Sequence, residues 1–121
     1  MTLDTNILIA YLNGETGVVE TLSNWRRENR ALFISSISVA EILSLPSLLP
    51  QDAEKIKTFL NDFISITFDN YLAETVAQLR RIYKISIPDA AIAATAMTRN
   101  TPLITRDFGF KKIKELTVFN L

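Results

Sequence analysis

Apolar and polar positions alternate along this chain in two rhythms, and the rhythms predict its elements. Short apolar runs with no polar stripe fit buried strands at Met1–Leu3, Leu32–Ile34, Ile66–Phe68 and Pro102–Thr105, with an edge strand at Thr117–Phe119. Between them the apolar positions fall at helical spacing. Ile7–Leu12 reads as a helix ended by Asn13-Gly14. Thr16–Glu28 follows, with Val18, Val19, Leu22 and Trp25 on one stripe. Val39–Leu45 reads as a helix stopped by Pro46. Asp52–Phe63 carries Ile56, Phe59, Leu60 and Phe63 on one face. Asn70–Tyr83 aligns Leu72, Val76, Leu79 and Tyr83, and Pro88–Thr98 is rich in alanine.

Short apolar strands separated by helices predict an α/β architecture: one domain over residues 1–121, with a mostly parallel central sheet flanked by helices in three layers. Such sheets bind ligands outside the carboxyl ends of their strands. The residues to watch are therefore the polar ones just after a strand or at the start of the next helix.

Composition narrows the chemistry. Cys and His are both absent. This excludes disulfides, Cys/His zinc sites, iron–sulfur clusters and histidine- or cysteine-based catalysis. An enzyme built from this chain works with carboxylates, hydroxyls and amines. Any metal it holds is hard, magnesium or manganese rather than zinc. Thirteen Lys+Arg balance thirteen Asp+Glu, so net charge neither announces nor excludes a nucleic-acid partner. No apolar run approaches the ~20 residues of a membrane span. The opening MTLDTN has no basic segment before a hydrophobic stretch, and the expected location is the cytoplasm.

Four acids stand at the expected edge. Asp4 follows the first strand, Glu41 lies in the first turn of a helix, Asp89 opens the alanine-rich helix, and Asp107 follows the fourth strand. Each has a structural reading. Asp4 suits a helix N-cap, Glu41 a capping box with Ser38, Asp89 the positive end of a helix dipole, and Asp107 a turn. All four structural readings still place the acid at the carboxyl edge, so cap and ligand roles stay open together. Four carboxylates about 6 Å apart repel by roughly 2–3 kcal/mol per pair at an effective dielectric near 20. Protons or divalent cations offset such repulsion. The other nine acids lie mostly among polar residues and read as solvated faces.

With these residues in place, the chain resembles a PIN-domain nuclease, and most of all the VapC-type toxins of toxin–antitoxin pairs. The matching segments are LDTNILIAYL (Leu3–Leu12), ISVAEIL (Ile37–Leu43), IPDAAIAATA (Ile87–Ala96) and LITRDF (Leu103–Phe108), spread over nearly the whole chain. The resemblance implies a PIN-like fold, an Mg²⁺ or Mn²⁺ site, and endonucleolytic cleavage of RNA by water that the metal activates. It assigns catalysis to Asp4, Glu41, Asp89 and Asp107, with Asp4, Asp89 and Asp107 as metal ligands and Glu41 orienting the metal or its water. Thr105 and Asn6 support the site. It also implies an antitoxin partner and a homodimer. Many relatives carry a further acid just before the residue matching Phe110. Here that position is Gly109, which points to one firmly held metal and a second only with substrate bound.

Arg106, Lys111 and Arg80 are candidate contacts to RNA, with solvated surface as the plain alternative. Trp25, Phe59, Phe63 and Tyr83 fit either a groove for the antitoxin or ordinary core. Other classes fare worse. A receiver domain needs paired acids after its first strand and a Lys after a late one, and an aspartyl phosphatase needs a second acid where Asn6 stands. The remaining alternative is a catalytically silent PIN-like module that binds RNA or protein.

Overall fold

The computed structural model describes residues 1–121. Five strands form one sheet: β1 (Thr2–Leu3), β2 (Phe33–Ser35), β3 (Ile64–Ile66), β4 (Leu103–Ile104) and β5 (Val118–Phe119), in the order β3-β2-β1-β4-β5. Every pairing is parallel, so the sheet is wholly rather than mostly so. Six helices connect the strands: α1 (Thr5–Leu12), α2 (Thr16–Arg27), α3 (Ser36–Leu43), α4 (Pro50–Leu60), α5 (Asn70–Tyr83) and α6 (Ile87–Thr98).

Both faces of the sheet are covered, which is why its strands are almost wholly apolar. The side-chain alternation of β4 divides the core in two. Leu103 packs with α5 and α6 through Leu72, Val76, Leu79 and the alanines of α6, together with Phe110, Ile113 and Leu116. Ile104 packs on the other side with Leu3, Ile7, Leu8, Val18, Leu22, Ile34, Ile42, Leu60 and Phe63. Seven consecutive residues of α6, Ala90 to Ala96, are buried, and five of them are alanines whose small side chains let α5 and α6 approach closely.

Several boundaries differ from the sequence reading. The third strand is Ile64–Ile66, two residues before the expected Ile66–Phe68. Helix α4 ends at Leu60, capped by Asn61, and the chain then pairs at once with β2 in the register Phe33↔Ile64. The run Phe63–Phe68 is apolar enough for either register, and pairing decides between them. Helix α4 also starts earlier, with Pro50 in its first turn. A 3-10 turn at Phe108–Lys112 was not expected. Of Trp25, Phe59, Phe63 and Tyr83, only Phe63 is fully core, and Tyr83 packs partly buried against the α5–α6 side. Trp25 and Phe59 pack partly buried against the cluster that contains Phe63, and Phe59 lies 5.1 Å from the rings of both Tyr11 and Phe63.

Strand order fixes where a ligand belongs. The chain runs outward from β1 through β2 to β3, then returns to place β4 on the other side of β1. The direction reverses between β1 and β4, and the carboxyl ends of these two strands flank the crevice where parallel sheets bind.

Candidate active site at the carboxyl edge of the sheet

Asp4 sits at that reversal. Its backbone N–H donates to the Ile104 carbonyl at 3.0 Å, continuing the β1–β4 ladder by one residue. Its side chain is 6 % exposed. One carboxylate oxygen accepts from the Thr5 N–H at 2.7 Å and the other from the Thr105 hydroxyl at 2.6 Å. Asp4 is therefore the N-cap of α1, as its structural reading expected, and also the most deeply placed acid of the edge. Burial pushes its pKa up; the Thr105 and Thr5 hydrogen bonds oppose this, while the negative charges of Asp89 and Glu41 add to it. Those two acids thus share the electrostatic neighbourhood of Asp4.

Glu41 reaches the site by a route the sequence reading did not anticipate. Helix α3 starts at Ser36, and Ser35, not Ser38, caps it by accepting from the Ile37 N–H at 3.1 Å. Glu41 therefore lies in the second turn, and the Ser38–Glu41 capping box does not form. Ser38 is buried and lies 2.8 Å from the Thr5 hydroxyl, which is also 2.8 Å from the Glu41 carboxylate. A hydroxyl has one proton and a carboxylate only accepts, so Thr5 donates to Glu41 and the Ser38 hydroxyl supplies the second contact. The run Ser35-Ser36-Ile37-Ser38 offers three possible caps, and sequence alone does not choose among them.

Asp89 lies in the first turn of α6, behind Pro88, with its N–H donating to the N-cap Ser86 at 3.2 Å. Asp107 is attached differently. Its N–H donates to the Thr105 hydroxyl oxygen at 3.0 Å, but its carboxylate turns back onto the Gly109 N–H at 2.8 Å and caps the 3-10 turn. A Cβ at Gly109 would lie 3.0 Å from that carboxylate oxygen, a tight contact that the missing side chain avoids. Asp107 is exposed and absent from the charges that act on Asp4. The structure thus groups Asp4, Glu41 and Asp89, and joins Asp107 to them through its backbone.

Thr105 is the hub of the edge. It is buried; its hydroxyl donates to Asp4 and accepts from the Asp107 N–H, with a longer contact of 3.4 Å from the Asn6 amide. Asn6 in turn accepts from the Arg106 N–H at 3.4 Å. Thr105 and Asn6 are thus hydrogen-bonded to each other at the edge that carries Asp4. Sequence reasoning missed Thr5 and overlooked this role of Ser38. The signal was present in the hydroxyl next to Asp4 and in the serine one helical turn before Glu41.

The three candidate cations take different places. The Arg106 guanidinium forks onto Glu15 and donates its Nε to the Leu121 main-chain oxygen at 3.0 Å. Arg80 donates to the Ile85 carbonyl at 3.1 Å. Lys111 has no acid partner, and its ammonium lies 4.7 Å from the centre of the Phe108 ring.

No Lys or Arg pairs with Asp4, Glu41 or Asp89. Each Asp4 oxygen keeps a further lone pair beyond its one hydrogen bond. An all-oxygen donor set of this charge fits a hard divalent cation. No three acids stand within ion-holding distance of one another in this conformation.

A family model decides the assignment: the PIN domain matches residues 1–116. The chain belongs to the PIN-domain family. Solved structures with the same fold include VapBC2 from Rickettsia felis bound to a DNA fragment from its promoter, with 27 % identity, 99 % of this chain and 97 % of that one covered, and a TM-score of 0.85. A toxin–antitoxin complex from Klebsiella pneumoniae matches with 29 % identity, 99 % and 98 % coverage and a TM-score of 0.82. The FitAcB structure from Neisseria gonorrhoeae matches with 29 % identity, 98 % and 96 % coverage and a TM-score of 0.79. The comparison with curated proteins returned no match. The resemblance to VapC-type PIN domains read from the four segments is thus borne out in both sequence family and fold. No helix of this PIN domain is long and apolar enough to cross a membrane.

Proposed function

We propose that this PIN domain is a metal-dependent endoribonuclease and the toxin of a toxin–antitoxin pair. The observation that carries this reading is the buried Asp4 carboxylate, which faces the charges of Glu41 and Asp89 with no cationic side chain to answer them. A site of this kind is stabilised by an added cation and is wasteful as mere structure.

Asp4 and Asp89 would hold Mg²⁺ or Mn²⁺, with Asp107 joining once its carboxylate leaves the Gly109 N–H. A divalent ion bound there supplies charge neutralisation at the scissile phosphate and lowers the pKa of water. The chain's own groups do the positioning. Thr105 and the Thr5 N–H fix both oxygens of Asp4, and the Thr5 hydroxyl aims the Glu41 carboxylate. Glu41 is then placed to orient the attacking water and accept its proton. Water oxygen bonds to phosphorus, the bond to the 3′ oxygen breaks, and the products carry a 5′-phosphate and a 3′-hydroxyl.

The complexes of the Rickettsia and Klebsiella structures support an antitoxin partner for this chain. Its best chemical match to the acids is an Arg fork, which pairs two N–H groups with one carboxylate. We place the active form as a cytoplasmic homodimer.

Incubating RNA with the protein and Mg²⁺ or Mn²⁺, with and without EDTA, tests the reading. Metal-dependent cleavage leaving 5′-phosphate ends is expected. Cleavage that persists in EDTA, or that leaves 2′,3′-cyclic phosphates, contradicts the mechanism. Metal binding without any cleavage of RNA favours the silent binding module instead.

A further inference from the structure

Phe108 is an aromatic ring held out into solvent immediately after Asp107 in the chain. It is 64 % exposed, while Phe110 and Ile113 from the same short segment are 3 % and 1 % exposed. A phenylalanine left this exposed forgoes most of the roughly 1.5–3 kcal/mol that burial provides. Single exposed apolar side chains are common and need no function. Three features separate this one from Leu12, Leu49 or Ile82.

The first is rigidity. The segment before Phe108 is tied by the Asp107 N–H to Thr105, and by the Asp107 carboxylate to the Gly109 N–H. The backbone just before the ring is therefore tied to the same hydroxyl that holds Asp4. The second is charge. In a 3-10 turn, residues three apart eclipse one another. This puts Lys111 over Phe108, with its ammonium 4.7 Å from the ring centre, in the range of a cation–π contact. The third is freedom of that cation: Lys111 makes no ion pair, whereas Arg106 and Arg80 are engaged elsewhere. An aromatic face and an unpaired cation, on the segment that Asp107 ties to Thr105, match a nucleotide: a base to stack and a phosphate to neutralise.

We infer that Phe108 and Lys111 form a nucleobase subsite, stacking one unpaired base of a single-stranded RNA next to the scissile phosphate. Lys111 covers one ring face and reaches the backbone; the base takes the other face. Duplex RNA keeps its bases inside the helix and offers nothing to stack, so the subsite selects unpaired segments. The inference rests on the nuclease reading for its choice of RNA, but its test does not depend on turnover.

The test uses Asp4→Asn protein, so that bound RNA is not cut, and a short single-stranded RNA against the same sequence annealed to its complement. Adding Phe108→Trp introduces an indole at the subsite. Its fluorescence, taken as the difference from the Asp4→Asn protein with Trp25 alone, is expected to be quenched by the single strand and not by the duplex. Phe108→Ala is expected to weaken single-strand binding about tenfold, the order of one lost base stack. Phe108→Tyr restores it, and an unchanged circular dichroism spectrum excludes unfolding. Equal quenching by duplex, or single-strand binding untouched by Phe108→Ala, overturns the subsite. So does a Phe108→Ala defect confined to binding of a protein partner. In the enzyme with Asp4 intact, Phe108→Ala should raise KM more than it lowers kcat. If the parent does not cleave RNA yet the stacking signals appear, the nuclease reading fails and the subsite stands; if it cleaves and Phe108→Ala cleaves equally well, the reverse holds.

Discussion

The two edges of this sheet handle charge in opposite ways. At the amino edge several cations have partners. The Met1 ammonium donates to the Ala31 carbonyl at 2.9 Å, Arg30 pairs with Glu28, Arg26 pairs with Asp62, and Arg99 lies over the Phe33 ring. Two of these arginines also sit at helix C-termini, where the macrodipole favours them: Arg26 in the last turn of α2 and Arg99 as the C-cap of α6. At the carboxyl edge the acids meet hydroxyls, backbone N–H groups and the N-terminal ends of α1 and α6, but no cation. One edge is electrostatically finished and the other is not. The same parallel topology builds both, so the imbalance lies in which side chains were placed there.

Breaking the unfinished edge should have the largest effect. Asp4→Asn or Asp89→Asn is expected to lower metal-dependent RNA cleavage by at least about a hundredfold, the usual scale for losing an electrostatic catalytic group. A gel assay at saturating Mn²⁺ measures it. The same Asp4→Asn change should stabilise the fold. Burial raises the Asp4 pKa above its ordinary 3.8, so the folded protein resists ionising it. Stability from this group is complete below that ordinary value and is lost as pH rises through the raised folded value. Asn stays neutral throughout. Thermal melts should therefore show Asp4→Asn above the parent at pH 7, with the gap closing toward about pH 4. A gap that is constant with pH would assign the effect to packing rather than charge.

The hub comes next. Thr105→Val keeps shape but removes the hydroxyl that serves Asp4 and the Asp107 N–H. Leaving those groups unpaired should cost about 1–3 kcal/mol in urea unfolding and lower cleavage as well. Thr105→Ser should restore most of both. At the finished edge, Arg26→Ala removes an ion pair whose side chains are 38 % and 46 % exposed. Exposed pairs contribute about 0.2–1 kcal/mol, so stability should shift by less than 1 kcal/mol and cleavage not at all. A larger loss there than at Thr105 would invert the comparison.

Much of the unfinished edge was legible because its acids are tied to element boundaries. Asp4 directly follows an apolar strand, Asp107 comes three residues after the end of another, and Asp89 follows Pro88 at a helix start; all are local signals. Their joint placement at the carboxyl edge follows from parallel topology alone. What was not legible depends on distance. Thr5, Ser38 and Glu41 meet across 33 and 36 residues of chain, and no local pattern announces a hydroxyl bridge of that span. The β3 register was misplaced because Ile64 and Ile66 are equally good strand residues, and the choice is made by pairing with β2. The Glu15 fork on Arg106 spans 91 residues, and from sequence Arg106 read either as an RNA contact or as solvated surface.

Titrating Mn²⁺ into the protein at pH 7 by calorimetry tests the unfinished edge most directly. The predicted result is saturable binding to the parent, abolished or strongly weakened in Asp4→Asn and unchanged in Arg26→Ala. Binding of equal affinity to the parent and Asp4→Asn, or no binding to the parent at all, would contradict the assignment of the carboxyl edge as a metal site.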